Sequence, residues 1–348
     1  MPRRTPAFRR AGLAVLLACA LGAHAAGPDT PPYPNTTGFG VDFGSEEDWH
    51  RQCMRVAHLE TPRAPPAPAA PTCDATEQYY LKRDQAVTSP AEWRQVRACA
   101  LASGDDAVLM MLHANGYGAP RDIDRAIHYA CRLDTAKAEM EGRVAHLASG
   151  AVALDDQPFD LCDHITSGRM GAVCAAIGER RDDRIREARL DRFAASLPPA
   201  ARAPFARLRA AAAAFAEKSA DEVDRSGTAS AGRATRHVGR REQEFLDTVL
   251  NAASGKLART SAAQLAALDR ELNERYRAVL ARPSESADQP ERIGDSTVTR
   301  EDVRSTGRLW LAYRDAWGAY LAAARAPAAL AAVQAQLTRQ RIAHLKKI

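Results

Sequence analysis

Residues 299–321 read TREDVRSTGRLWLAYRDAWGAYL, and this stretch indicates the class of fold. Thr299 and Asp302 have the spacing of a helix-capping pair, so a helix is predicted to begin there. The apolar side chains that follow recur every three or four residues, as on one face of an α-helix: Val303, Trp310, Tyr313, Trp317 and Leu321. Such an aromatic stripe favours a buried core, and the alternative is a binding surface.

The same helical pattern extends through residues 196–348. Apolar side chains recur at helical spacing over 205–215 and 265–279, and Pro283 and Pro327 each end or kink a helix. Three predicted capping boxes mark helix starts along the chain: Ser89 with Glu92, Ser219 with Glu222, and Ser261 with Gln264. We therefore predict an all-α protein whose residues 196–348 form a helical bundle.

Composition agrees with helices. The 348-residue chain is 46% hydrophobic, 26% charged and only 6% aromatic, and it is rich in alanine. Small side chains suit close helix contacts, whereas β-sandwiches favour β-branched and aromatic residues. Arginine dominates the basic residues, which reflects coding composition, so the positive charge does not indicate nucleic-acid binding. This length is enough for two domains.

The first residues predict export. Four arginines precede the apolar run 11–21, and Ala23-His24-Ala25 is a cleavage pattern that places the cut before Ala26. A lipoprotein signal with Cys19 as the anchor is the alternative. The run is too short to span a bilayer, and no other long apolar run follows. We predict a signal peptide over 1–25 and a periplasmic or secreted protein without a membrane span.

The remaining charge is uneven. Residues 196–348 carry 25 Lys and Arg against 17 Asp and Glu, a net charge of +8, and residues 26–195 carry −7. Either the two halves dock on each other, or each meets a different partner.

The six cysteines outside the leader all precede residue 175, and in an oxidising compartment they predict three disulfides. Closing the shorter loops gives the pairs Cys53–Cys73, Cys99–Cys131 and Cys162–Cys174. A zinc site at Cys162-Asp163-His164 is the rival interpretation, but it lacks a C-x-x-C or H-x₃-H companion.

Before residue 196 we predict a Pro-rich lead-in and linker over 26–76, a helical region over 77–150 and a cysteine-containing connector over 151–195. Residues 109–122, LMMLHANGYGAPRD, with the alanine at 126, resemble the Sel-one-type repeat, a relative of the tetratricopeptide repeat. That resemblance implies a helical hairpin, with Gly116 and Gly118 in its turn, Asp122 as the cap of its second helix, and Ala126 at the close helix contact. The predicted disulfides would staple this N-terminal half. A single repeat must pack on the rest of the chain.

Two segments resemble the LprI-like family of exported lysozyme inhibitors. LDRELNERY at 268–276 is similar to the family's D-x-x-L-N-x-x-Y helix, and LWLAYRDAW at 309–317 to its W-x-x-[YF]-R-D-x-x-C helix. Trp317 stands where the family has cysteine, so the family's disulfide is not carried over. The family-motif residues are Leu272, Asn273, Tyr276, Trp310, Tyr313, Arg314, Asp315 and Trp317.

For these motif residues we expect structural roles. Leu272 and Tyr276 are predicted to pack against Trp310 and Trp317, and Asn273 to hydrogen-bond across that seam. Arg314 and Asp315 either orient the helices through a partly buried ion pair or reach a partner.

No nucleophile elbow, H-E-x-x-H motif, phosphate loop or dinucleotide fingerprint occurs, so no catalytic residue, cofactor or metal is predicted. His113 and His128 share the hairpin but lack a third partner in sequence. The resemblance implies a non-enzymatic protein that binds lysozyme, with the acidic half as the better electrostatic match for a basic enzyme. The alternative is a repeat-type adaptor for another envelope protein.

Overall fold

The computed structural model describes residues 31–62, 73–150 and 157–348. The predicted signal peptide and most of the predicted proline linker lie outside these residues. Within them the chain forms twelve α-helices and, apart from isolated bridges in the loop 282–299, no β-strand, which confirms the all-α class. The helices are α1 Asp48–Arg55, α2 Ala75–Arg83, α3 Pro90–Ser103, α4 Asp106–Asn115, α5 Ile123–Ala130, α6 Lys137–Ala148, α7 Gly168–Ser196, α8 Pro199–Lys218, α9 Ser230–Ala253, α10 Ala262–Ala281, α11 Arg300–Ala323 and α12 Leu330–Leu345.

Local capping signals account for several helix starts. Ser89, Ser261 and Thr299 each accept a backbone hydrogen bond from the third residue beyond, and the side chain of that residue bonds back. The capping box predicted at Ser219 is wrong. Ser219 is buried and donates its hydroxyl to the carbonyl oxygen of Ala216, residues 219–222 form a short 3₁₀ turn, and α9 begins only at Ser230.

Two hydrophobic cores lie along the chain, and the 29-residue helix α7 contributes to both. Ile177 is buried in the core made with α1 to α6, and Leu190 is buried in the core made with α8 to α12. α7 packs against α2 and α9. The predicted connector 151–195 therefore consists largely of a helix that links the two cores.

The disulfides are Cys53–Cys131, Cys73–Cys99 and Cys162–Cys174. Only the third predicted pair is correct. The shorter-loop rule fails because α1 folds back against α5 and α6, bringing Cys53 to the end of α5, while α2 and α3 pack together and join Cys73 to Cys99. The zinc interpretation at Cys162 is also wrong, because its sulfur is bonded to Cys174.

The predicted hairpin corresponds to α4 and α5. Gly116 and Gly118 both have positive φ, 73° and 68°, and Gly118 lies so close to the Trp93 carbonyl that a Cβ atom would clash with it. The Asp122 carboxylate accepts a hydrogen bond of 3.0 Å from the Arg125 amide, and Ala126 is fully buried. The hairpin geometry therefore agrees with the predicted roles, whereas its assignment to the Sel-one repeat stays a prediction.

In the second core, α11 packs along α8, and α10 packs along α12. Trp317 is fully buried, with its ring centroid 6.3 Å from Phe245 of α9 and 5.8 Å from Tyr320. Trp310 and Tyr313 are buried as well, as the core interpretation of the aromatic stripe predicts. Leu272, Trp310 and Trp317 belong to the same hydrophobic core, and Tyr276 packs against it. The ring contacts of Trp317 are with Phe245 and Tyr320, and a direct contact of Trp317 with Leu272 or Tyr276 stays a prediction.

Candidate functional site

A groove of about 400 Å³ separates α10 from α11, and residues of both family-like motifs line it. Leu272, Tyr276 and Trp310 form its apolar wall, and the Tyr276 ring lies over Gly307 of α11, which has no side chain to fill that space. Leu311 adds an apolar side chain that is 51% exposed. The sequence-predicted residues on the two helices thus meet at one solvent-open surface.

Arginines give this groove a positive charge. Arg304 and Arg308 on α11 and Arg341 on α12 line it, and no carboxylate is among the lining residues in the described chain. Arg308 also pairs with exposed Glu301 at 2.6 Å. Arg341 is 2% exposed and donates to both carboxylate oxygens of buried Glu222, at 2.5 and 2.6 Å. One arginine is therefore fixed by a buried ion pair, and two are exposed.

Arg314 connects the two motifs. Its guanidinium lies 3.0 Å from the Asp269 carboxylate of α10 and 5.5 Å from the Trp310 ring centroid. The predicted partly buried ion pair therefore involves Asp269, and Asp315 is exposed. Asn273 is also exposed and has no hydrogen-bond partner among the described residues, so its predicted bond across the seam is wrong.

Two further motif residues, Tyr313 and Trp317, lie behind the groove in the core. The Tyr313 ring stacks on Phe215 of α8 at 5.8 Å, and burial raises the pKa of the Tyr313 hydroxyl above its ordinary range. These residues support α11 from within. Of the motif set, Leu272, Asn273, Tyr276 and Trp310 reach the groove.

Sequence reasoning missed six lining residues: Leu280, Arg304, Gly307, Arg308, Leu311 and Arg341. Arg304, Arg308 and Leu311 are spaced by four and three positions, so their common helix face beside the motif was a usable signal. Arg341 reaches the groove because α12 packs on α10, and no local pattern indicates that contact.

The acidic half as the contact surface for lysozyme stays a prediction, and several of its carboxylates have structural partners. Asp105 caps α4 by accepting a hydrogen bond from the Val108 amide at 3.0 Å, and Asp106 pairs with Arg132 at 2.9 Å. On α2, Glu77 and Asp84 bind three arginines of α7: Arg180, Arg181 and Arg184. These four carboxylates have partners inside their own half. Glu187 and Asp191 of α7, however, pair with Arg209 of α8, which agrees with docking of the two halves on each other.

The two histidines of the hairpin contact other residues of the N-terminal core. His113 stacks on Tyr129 at 5.7 Å, and burial lowers the pKa of its imidazole to about 4. The His128 ring nitrogen Nδ1 lies 3.1 Å from the Val56 carbonyl oxygen. Over the described ranges, no group of three potential metal ligands comes together, and no helix is long and apolar enough to cross a membrane.

Comparison with known families gives one result. Residues 247–345 match the family model described as lysozyme inhibitor LprI. The match begins inside α9 and ends at the last residue of α12, so it contains both helices of the groove. The C-terminal part is thus similar to lysozyme inhibitors. No curated protein and no solved structure matches this chain.

Proposed function

We propose that this is an exported, non-enzymatic protein that binds and inhibits a lysozyme through the groove between α10 and α11. The observation that carries the proposal is the coincidence of the LprI match with the helices whose motif residues line this groove. Lysozyme inhibitors of that family are not catalysts, in agreement with the lack of a catalytic motif in the sequence.

The chemistry of the groove supports this partner. Lysozymes cleave their substrate with a pair of carboxyl groups in a cleft. Exposed Arg304 and Arg308 can form paired hydrogen bonds with such carboxylates, and Leu311 beside them supplies apolar contact area. The +8 charge of residues 196–348 repels a basic enzyme at long range, which slows association, whereas short-range arginine–carboxylate pairs determine how long the complex lasts.

Export fits the covalent structure. The three disulfides need an oxidising compartment, such as the periplasm or the extracellular space. With the predicted signal peptide, they support a location where the protein would meet lysozyme. Protection of the cell wall is the corresponding biological role.

The adaptor hypothesis has weaker support. An adaptor built on the hairpin needs an open helix face, yet residues 108–114 of α4 are all buried within the N-terminal core. The hairpin therefore serves that core, and we favour the groove as the partner surface.

A lysozyme titration tests the proposal. We expect the wild-type chain to inhibit egg-white lysozyme, or another member of a lysozyme panel, at submicromolar concentration. The variant Arg304→Gln/Arg308→Gln should inhibit at least tenfold less well. A matched control, Arg207→Gln/Arg339→Gln, removes the same charge from exposed helix positions outside the groove and should change inhibition less than twofold. Failure of the wild type across the panel would reject the function, and equal loss in both variants would reject the groove.

A further inference from the structure

A second cavity, of about 350 Å³, lies between the first half of α9 and the end of α12. Arg233, Arg236 and Arg240 line it from α9, and their spacing of three and four places them on one face of that helix. Lys347, just beyond α12, lines it from the other side. Four cationic side chains therefore converge on one solvent-open space outside the groove.

The carboxylates of this cavity are already engaged. Glu222 gives both oxygens to Arg341, and Asp224 accepts hydrogen bonds from the amide and the hydroxyl of Thr297, both at 3.0 Å. Ile348 also lines the cavity, and its oxygen accepts a hydrogen bond of 2.8 Å from Arg282. Arg236, Arg240 and Lys347 have no carboxylate within 4.0 Å in the described chain. The cavity thus has an excess of positive charge.

The cavity also contains an imidazole with an unused nitrogen. His237 lines the wall, and its Nε2 atom is buried without a hydrogen-bond partner in the described part of the chain. Burial, followed by the nearby charge of Arg241, lowers the pKa of His237 to about 3, so the ring is neutral at physiological pH. In the Nε2–H tautomer this ring can donate one hydrogen bond to an anion without a second buried charge.

The groups facing the cavity from α12 do not neutralise it. His344 also lines the wall, and its Nε2 lies 3.2 Å from Glu244, which in turn pairs with buried Arg241 at 2.9 Å. Behind the wall, Arg241 and Arg341 balance the carboxylates of Glu244 and Glu222, so the excess positive charge of the lining residues remains. The local field favours an anion.

We propose that this cavity binds a phosphate group carried by a small polar molecule. The parallel N–H groups of an arginine guanidinium can donate two hydrogen bonds to two oxygens of one phosphate, and a lysine ammonium adds a positive charge. A volume of about 350 Å³ exceeds what a lone phosphate requires and falls at the lower end of small-molecule sites, so a phosphorylated sugar fits. The phosphate can belong to a soluble sugar phosphate or to a lipid headgroup, and the experiment separates these sources.

The test uses the full chain at constant ionic strength, with potassium chloride as the background salt. Isothermal titration calorimetry is carried out with inorganic phosphate, glucose 6-phosphate and unphosphorylated glucose. Sedimentation with phosphatidylglycerol vesicles, against phosphatidylcholine vesicles, tests the headgroup. We expect saturable 1:1 binding of glucose 6-phosphate or selective binding of the anionic vesicles, with no binding of glucose.

Variants assign the binding to the cavity. Arg236→Gln/Arg240→Gln should weaken binding at least tenfold, and Lys347→Gln, which lies beyond the last helix, is a second variant in case the first does not fold. The control Arg207→Gln/Arg339→Gln should change binding less than twofold. Lysozyme inhibition should be unaltered in the cavity variants, because they leave the α10–α11 groove intact. Absence of saturable binding with every phosphate probe, or equal weakening in cavity and control variants, would overturn the proposal.

Discussion

Arg314 of α11 and Asp269 of α10 form an ion pair between the two helices that flank the groove, with 3.0 Å between guanidinium Nη1 and carboxylate Oδ1. The same guanidinium lies 5.5 Å from the centre of the Trp310 ring. The two residues belong to the two motifs that resemble the inhibitor family, and α10 otherwise packs mainly on α12. The pair is therefore a direct link between the two walls of the groove.

We predict that this pair contributes modestly to stability and more to the shape of the groove. A double-mutant cycle with Asp269→Asn and Arg314→Gln, measured by urea unfolding, should give a coupling of about 0.5–1 kcal/mol, because Asp269 is partly exposed. Each single variant should also weaken lysozyme inhibition. The corresponding loss of binding free energy should be larger than the coupling free energy measured by unfolding. The neighbouring variant Asp315→Asn is the control and should alter neither property. A coupling of zero together with unchanged inhibition would contradict this role.

Local chemistry made much of the fold predictable. The Ser89, Ser261 and Thr299 caps, the turn glycines Gly116 and Gly118, and the aromatic stripe of α11 all follow from side-chain hydrogen bonds, backbone conformation and helical spacing. Each depends only on residues a few positions apart. The corresponding predictions were therefore reliable.

Long-range pairing was not predictable in the same way. The bond between Cys53 and Cys131 depends on how α1 folds back across the chain, and a rule based on loop length has no information about that packing. The same holds for Arg341, which reaches the groove from α12, and for Trp317, which turns to Phe245 of α9. The place of Arg341 in the groove and the neighbours of Trp317 thus depend on tertiary contacts between distant helices.

The Cys53–Cys131 disulfide closes the longest loop, with a sequence separation of 78, against 12 for Cys162–Cys174. Because a longer loop restrains the unfolded chain more, Cys53→Ser/Cys131→Ser should lower the free energy of unfolding by about 4.5 kcal/mol, and Cys162→Ser/Cys174→Ser by about 1.7 kcal/mol less. Hydrogen exchange followed by peptide should place the loss in α1 to α6 and spare α8 to α12. Digestion without reductant checks the pairing, and free thiols at Cys53 and Cys131 would contradict it.

Glu139 should make the N-terminal core sensitive to acid. Burial alone would raise the pKa of its carboxyl group, but hydrogen bonds from Thr135 and from the amides of Ser167 and Thr166 outweigh that effect and lower the pKa from 4.5 to about 2. A lowered folded-state pKa stabilises the fold above pH 4.5, and the gain of roughly 3 kcal/mol is lost as the pH falls towards 2.

Urea unfolding between pH 7 and pH 2 measures this contribution. The variant Glu139→Gln should be less stable at neutral pH, in part because the fully buried Arg143 loses the nearby carboxylate charge. It should also show a flatter dependence on pH. The control Glu141→Gln, on the same helix but less buried, should keep the wild-type profile. A Glu139→Gln profile parallel to that of the wild type would assign the acid sensitivity to other groups.

Substitution of Trp317 distinguishes a role in the core from a role in partner binding. Its side chain is fully buried against Phe245 and Tyr320, so Trp317→Ala should lower the free energy of unfolding by about 3–5 kcal/mol through lost burial and a cavity. Trp317→Cys, which places the cysteine of the similar family at this position, should not recover this loss, because no cysteine follows Cys174.

The matched comparison is Leu311→Ala on the same helix, where the side chain is 51% exposed in the groove. That variant should keep its melting temperature and lose lysozyme inhibition. Thermal unfolding of both variants, read beside the lysozyme titration, therefore gives opposite patterns for the two positions, and a Trp317→Ala protein as stable as the wild type would overturn the core role.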